Sequence, residues 1–171
     1  MTHPIVVERA DWGAKFSPGT RPMPGRLSEV NIHHSVTRAS RHDPCGDMRQ
    51  IERILHSRGL DPGYSACIHP TGVILIGAGD KIGKHTKGRN SKSYGICFIG
   101  DFTRDHPTWD ALQSAGWLIN LLRFTGKLVP QLGNITIQPH SATSATACPG
   151  ENLRNRIEAI RYFAGLPEVS K

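Results

Sequence analysis

The chain has 171 residues, and 21 Lys+Arg against 14 Asp+Glu give it a formal charge of +7. That length predicts a single domain, 1–171, which buries its core without staples, and the basic balance points to a polyanionic partner such as nucleic acid, a membrane surface or an acidic wall polymer. No run of about 18 apolar residues is available to span a membrane, and Met1-Thr2-His3-Pro4 lacks the cationic opening and apolar run of a signal peptide.

Residues 1–28, rich in Pro and Gly around Trp12, read as an ordered but irregular lead-in. Glu29 to His34 then reads as a short strand that ends in two histidines. Side chains alternate along a strand, so Val30, Ile32 and His34 share one face while Asn31, His33 and Ser35 share the other. Asp43-Pro44 supplies an N-cap and an N1 proline for a helix to Gly59, with Met48, Ile51 and Leu55 turned inward. After the turn Asp61-Pro62-Gly63, the runs Tyr64–His69 and Val73–Ile76 flank Pro70-Thr71-Gly72 as a hairpin. Lys81 to Lys92 holds five basic residues and no acid, which suits either a solvated loop or a surface for a polyanion. It has no interleaved aromatics of the kind single-strand binders use, so nucleic acid is disfavoured.

Tyr94 to Gly100 is continuously apolar, like a strand in the middle of a covered sheet. Pro107-Thr108 caps a long helix to Gly126 that carries Trp109, Leu112, Ile119 and Leu122. Asn134 to His140 forms a further strand, with Ile135 and Ile137 toward the core and Thr136, Gln138 and His140 opposite. A last helix carries Leu153, Ile157, Ile160 and Ala164 and stops at Gly165 and Pro167; the remaining tail, 165–171, is a terminus or a linker. The four cysteines (45, 67, 97 and 148) show no secreted-scaffold spacing and read as reduced, with Cys67 and Cys97 in buried strands. The expected fold is of the α/β class, a mixed sheet flanked by about three helices.

The chemistry gathers between Gln138 and Gly150. His140 and Cys148 stand eight positions apart among small side chains, and no charged residue occurs from Pro130 to Gly150. Imidazole and thiolate are ligands that zinc prefers, and a helix start at Cys148 would favour the thiolate. Taken alone, the pair could equally be a structural cysteine and an unrelated histidine. His33 supplies a third ligand, since His33 and His140 both lie on the polar parity of strands that are about to end. Two histidines and one cysteine suit an open catalytic site better than a closed structural one.

These residues have a familiar order. Ile32-His33-His34-Ser35, Gly63-Tyr64 after a helix, His85…Asn90…Tyr94-Gly95-Ile96-Cys97-Phe98-Ile99-Gly100 and His140-x7-Cys148-Pro149-Gly150 succeed one another. In that order the chain resembles the zinc-dependent N-acetylmuramoyl-L-alanine amidases that share a fold with phage lysozyme-amidases and peptidoglycan recognition proteins. The resemblance runs from Trp12 to about Phe163. It implies one Zn²⁺ on His33, His140 and Cys148, and hydrolysis of the amide between N-acetylmuramic acid and L-alanine of the stem peptide. It places the family's catalytic tyrosine on Tyr64 and its lysine or threonine on Thr146. Where the anhydro-muropeptide branch has aspartate and glutamate, this chain has Cys148 and Cys97, so it sides with the phage and recognition-protein branch and offers no obvious carboxylate base.

A phenol and a hydroxyl beside the metal suit the orientation of water or the stabilisation of an oxyanion, although Tyr64 read alone could be a plain strand tyrosine and Thr146 a turn residue. His34, His85 and Asn90 are expected to line the groove for the glycan or stem peptide. The expected partner is bacterial peptidoglycan, met by a monomer with neither nucleic acid nor a membrane involved. With no leader, a phage or prophage endolysin released through a membrane lesion is expected, or a bacterial enzyme exported otherwise. Two other classes compete: a peptidoglycan-binding module without catalysis, disfavoured by the complete ligand set, and a metal-dependent nuclease, disfavoured by the cysteine and the missing acidic cluster.

Overall fold

The computed structural model describes residues 3–129 and 134–167. Its elements in chain order are β1 (Val6–Val7), α1 (Arg9–Trp12), β2 (Glu29–His34), α2 (Pro44–Ser57), β3 (Ala66–Ile68), β4 (Ile74–Ile76), β5 (Ser93–Phe98), α3 (Trp109–Phe124), β6 (Thr136–Pro139), a 3₁₀ turn (His140–Ala142), α4 (Glu151–Arg154) and α5 (Ile157–Phe163). The six strands form one sheet in the order β1-β4-β3-β5-β2-β6. Only the β3–β4 hairpin is antiparallel; the other neighbours run parallel. Among the described residues no helix is long and apolar enough to cross a membrane.

Parallel strands need covered faces because their crossovers lie on both sides. Val30 and Ile32 of β2, Ala66 and Ile68 of β3, and Tyr94, Ile96 and Phe98 of β5 form the larger core with α3 and α5. The opposite face is smaller: Cys67, Leu75, Cys97 and Ile99 pack under Met48 and Ile51 of α2 and the fully buried Trp12. The caps act as the sequence predicts. Asp43 accepts from the Gly46 N–H at the start of α2, and Thr108 accepts from Ala111 at the start of α3.

The structure refines these readings. The lead-in is not wholly irregular, because Val6–Val7 pairs with Ile74–Leu75 as an edge strand and Arg9–Trp12 forms a helical turn. The buried Trp12 indole donates to the Ile76 carbonyl at 2.8 Å, anchoring that turn to the sheet. Trp109 lies outward, 59% exposed, against Phe163 and beneath the Arg156 guanidinium, because the inner stripe of α3 starts at Ala111 and Leu112. The last helix is divided at Asn155-Arg156, though Leu153, Ile157, Ile160 and Ala164 are all buried. With the extra turn and this division, the three expected helices become five. Residues 168–171 of the tail and 130–133 of the neutral stretch lie outside the described residues.

Candidate metal centre and cleft

The candidate site lies at the carboxyl ends of β2 and β6, where open α/β sheets commonly bind ligands. These strands are parallel neighbours with Ile32 opposite Pro139. One step further along each strand lie His33 and His140, with ring centroids 4.5 Å apart. The third side chain arrives through the loop after β6, which closes on itself when the Ser141 N–H donates to the Cys148 carbonyl at 2.9 Å. Gly150, at φ +85°, then lets the loop press on the backbone of Phe102 and Thr103, where an added Cβ would sit 2.4 Å from the Phe102 carbonyl carbon. The result is that donor atoms of His33, His140 and Cys148 all lie within 4.8 Å of one another. Two imidazoles and a thiol on an open cleft match zinc's donor set.

Further contacts support this reading. The Cys148 sulfur lies 3.8 Å from His33 Nδ1 and accepts the backbone N–H of His34 at 3.4 Å. Burial, followed by the charges of His85, His140 and His34, lowers the His33 pKa well below its ordinary value, and burial lowers that of His140. Both rings are therefore kept neutral, the form that donates a lone pair to a metal. The expected helix start at Cys148 is displaced, since α4 begins at Glu151 and spans only four residues. Burial instead pushes the Cys148 thiol up to about 11, with the His34 N–H opposing. A thiolate at Cys148 would therefore need a cation in the site to favour it.

The strand parity of the two adjacent histidines holds. His33 faces the ligand cluster, whereas His34 Nδ1 accepts from the Phe102 N–H at 3.3 Å and lies 3.9 Å from an Asp101 oxygen. Tyr64, just before β3, sets its ring 5.2 Å from that of His33. Burial first, then the neighbouring Cys97, Cys67 and Cys148 thiols, raises the phenol's pKa well above its ordinary value, so it stays a donor at neutral pH. Thr146 is exposed at the rim, and its Oγ1 accepts the Cys148 N–H at 3.2 Å.

The cleft measures about 470 Å³ and is bordered by His33, His34, Tyr64, His85, His140, Thr146 and Cys148. Lys84 of the basic loop also borders it, as do Arg58, Asp101 and Thr103, which sequence reasoning did not single out. They occupy loops whose mutual approach no local pattern announces. His85 sits behind His33, with its Nδ1 3.2 Å from His33 Nε2. Asn90 does not reach the cleft. Its side-chain oxygen accepts the His85 and Thr86 N–H groups at 2.9 and 2.7 Å, shaping the loop that carries them, and it borders a separate cavity with Arg21 and Lys84. Part of the basic loop is tied down as well: Arg89 pairs with Glu29 at 2.6 Å, and Lys84 donates to the Gly59 carbonyl at 3.0 Å. All four cysteines are free thiols.

The chain is similar in sequence and in fold to known proteins. A peptidoglycan-recognition protein of Drosophila simulans is 33% identical over 163 residues, covering 90% of this chain and 85% of its own length. The N-acetylmuramoyl-L-alanine amidase of Sus scrofa is 30% identical over 172 residues, 94% of this chain but 28% of that longer protein. Among solved structures, a tyrosine-to-phenylalanine mutant of Drosophila PGRP-LB in complex with tracheal cytotoxin superposes with a TM-score of 0.82 at 33% identity, covering 90% of this chain and 92% of that one. Wild-type Drosophila PGRP-LB gives the same TM-score at 31% identity over 97% of this chain and 98% of its own. The fold is thus that of the peptidoglycan recognition proteins. The sequence profile described as N-acetylmuramoyl-L-alanine amidase matches residues 23–151, a span holding all three donors of the candidate centre, and the chain belongs to that family.

Proposed function

We propose that this chain is a zinc-dependent amidase that hydrolyses the bond between N-acetylmuramic acid and L-alanine in bacterial peptidoglycan. The observation that carries the reading is the convergence of His33, His140 and Cys148 on one cleft. Tyr64 and Thr146, placed on the same cleft, strengthen it. When bound, zinc supplies Lewis acidity and a nucleophile at neutral pH. The chain's own residues do the rest. The protonated Tyr64 phenol, beside His33, would donate to the oxygen that gains charge as the amide is attacked, a role worth about 3 kcal/mol for a well-aimed donor. Thr146 Oγ1 accepts from Cys148, which leaves its own hydrogen free to turn to the substrate. Arg58 and Lys84 make part of the cleft wall positive, which suits a stem peptide bearing carboxylates.

The related recognition proteins favour one other reading, a peptidoglycan-binding module of the same fold without turnover. Digestion of purified peptidoglycan separates the two. The amidase reading expects new free L-alanine amino groups that vanish on chelation and return with zinc. Binding of peptidoglycan with no new amino groups, by protein that carries one zinc per chain, would establish the binding module instead.

A further inference from the structure

The polar pocket under His33 goes beyond holding a ring in place. We propose that His85 is a positioning residue that fixes the tautomer of His33, forcing the proton onto Nε2 so that Nδ1 presents its lone pair to the metal. The inference rests on the zinc reading above for its consequence, though not for its geometry.

The relay starts from a group that can only accept. His85 Nε2 lies 3.3 Å from the Ser93 carbonyl, so that nitrogen must carry the proton, and in a neutral ring Nδ1 is then an acceptor. His85 Nδ1 in turn lies 3.2 Å from His33 Nε2. Two lone pairs cannot face each other at that distance, so His33 Nε2 carries the hydrogen and His33 Nδ1 does not. His33 Nδ1 is the atom that looks at the Cys148 sulfur. Thr86 completes the set. Its Oγ1 lies 3.1 Å from His85 Nδ1 and 3.3 Å from His33 Nε2, and it accepts from Asn31 Nδ2 at 3.4 Å. Asn31 itself is anchored on Ser93 Oγ at 2.9 Å. The opposite tautomer of His33 would leave either this cluster or the Ser93 carbonyl with acceptors opposed.

The sequence makes room for this arrangement at one position. His85 lies flat on β5 at Gly95, where a Cβ would stand 2.5 Å from the ring's Cγ and 2.7 Å from its Nδ1. Gly95 touches neither the cleft nor a ligand, yet any side chain there displaces the relay. Partners that orient a metal-bound imidazole are commonly worth about 10- to 100-fold in metal affinity.

The test has two readouts. In the chelated wild-type protein, nitrogen-15 spectra of the imidazoles are expected to show His33 protonated at Nε2 alone; protonation at Nδ1 would overturn the proposal without any variant. Zinc affinity is then measured by competition with a chromogenic chelator. His85→Leu and Gly95→Ala are each expected to weaken zinc by about 10- to 100-fold, and His85→Gln, whose amide oxygen can accept from His33, is expected to recover most of that loss. Wild-type affinity in a folded His85→Leu, or equal losses in His85→Leu and His85→Gln, would reduce His85 to packing and sink the idea. A wild-type chain that shows the Nε2 proton but binds no zinc would support the relay and overturn the amidase reading, so the two fail separately.

Discussion

The two faces of the sheet differ in what they bury. Under α3 and α5, β2, β3 and β5 present Val30, Ile32, Ala66, Ile68, Ile96 and Phe98 to one continuous apolar cluster. Under α2 the apolar cluster is small, and the row that contains Leu75, Cys67 and Cys97 passes directly into His33. Neighbouring residues on one strand therefore serve different ends: Ile32 is core, His33 is at the candidate centre, and His34 has turned back toward Phe102. The lesson is that the site occupies the part of the sheet that α2 leaves to loops. Polar groups buried there bond to one another and to the 85–93 segment rather than to a helix, and Asn31 Oδ1 has no partner among the described residues. Changes on the first face should cost stability, and changes on the second should cost metal and turnover.

The largest effect that would break this division belongs to the ligands. His33→Ala is expected to lose zinc and reduce peptidoglycan digestion to background while leaving the fold intact, since a chain of this length does not depend on the metal for its core. His34→Ala is expected to keep one zinc per chain. Metal analysis of the two variants decides, and the reverse pattern would shift the ligand by one residue. On the opposite face, Ile96→Ala leaves a cavity at a fully buried position and is expected to cost about 2–5 kcal/mol in denaturant unfolding. Its zinc content is expected to match the wild type, and metal loss without unfolding would mean that the faces are not separate.

Much of this was legible in the sequence, for physical reasons. Strand parity separated His33 from His34 because β2 has one covered face and one that carries the site, so a shift by one residue has large consequences. Asp43-Pro44 and Thr108 announced their helices through local hydrogen bonding. What escaped was non-local. Nothing near Trp109 in sequence reports that α5 leaves that ring on the surface. The start of α4 at Glu151 follows from the approach of Gly150 to Phe102, a contact between distant segments. The place of Asn90 was missed likewise, because its bonds to the His85 and Thr86 N–H groups belong to a loop with no periodicity.

Acid offers a subtler test of the polar face. Burial lowers the pKa of His33, His140 and His85, that of His85 to about 4. The unfolded chain takes up protons on these rings near pH 6.5, whereas the folded chain does so only at lower pH. Stability of the chelated protein is therefore full above about pH 6.5 and is lost as pH falls toward 4. The His85 share has an upper limit of about 3 kcal/mol. Urea unfolding of the chelated protein at pH 7.5 and 5 is expected to show this loss, and His85→Gln is expected to lessen it. Equal midpoints at the two pH values in the wild type would mean that these rings are not held neutral.

The smaller effects lie at the mouth of the cleft. Tyr64→Phe is expected to keep zinc and fold while lowering kcat by about 10²-fold, as for loss of one donor to a developing oxyanion. An unchanged kcat would return Tyr64 to packing against His33.

Thr146 should give the smallest change, because it is exposed and its hydroxyl has two separable tasks. The oxygen accepts the Cys148 N–H, which holds the ligand loop, and the hydrogen is free for substrate. A neutral hydrogen bond of about 1 kcal/mol corresponds to roughly a fivefold change in rate. Thr146→Ser keeps both tasks and is expected to behave as wild type. Thr146→Val keeps the shape but removes both, so it is expected to show the fivefold loss in kcat together with a small weakening of zinc. If Thr146→Val weakens zinc but leaves kcat of the fully loaded protein unchanged, the hydroxyl serves only the loop, and the catalytic role proposed for Thr146 is removed.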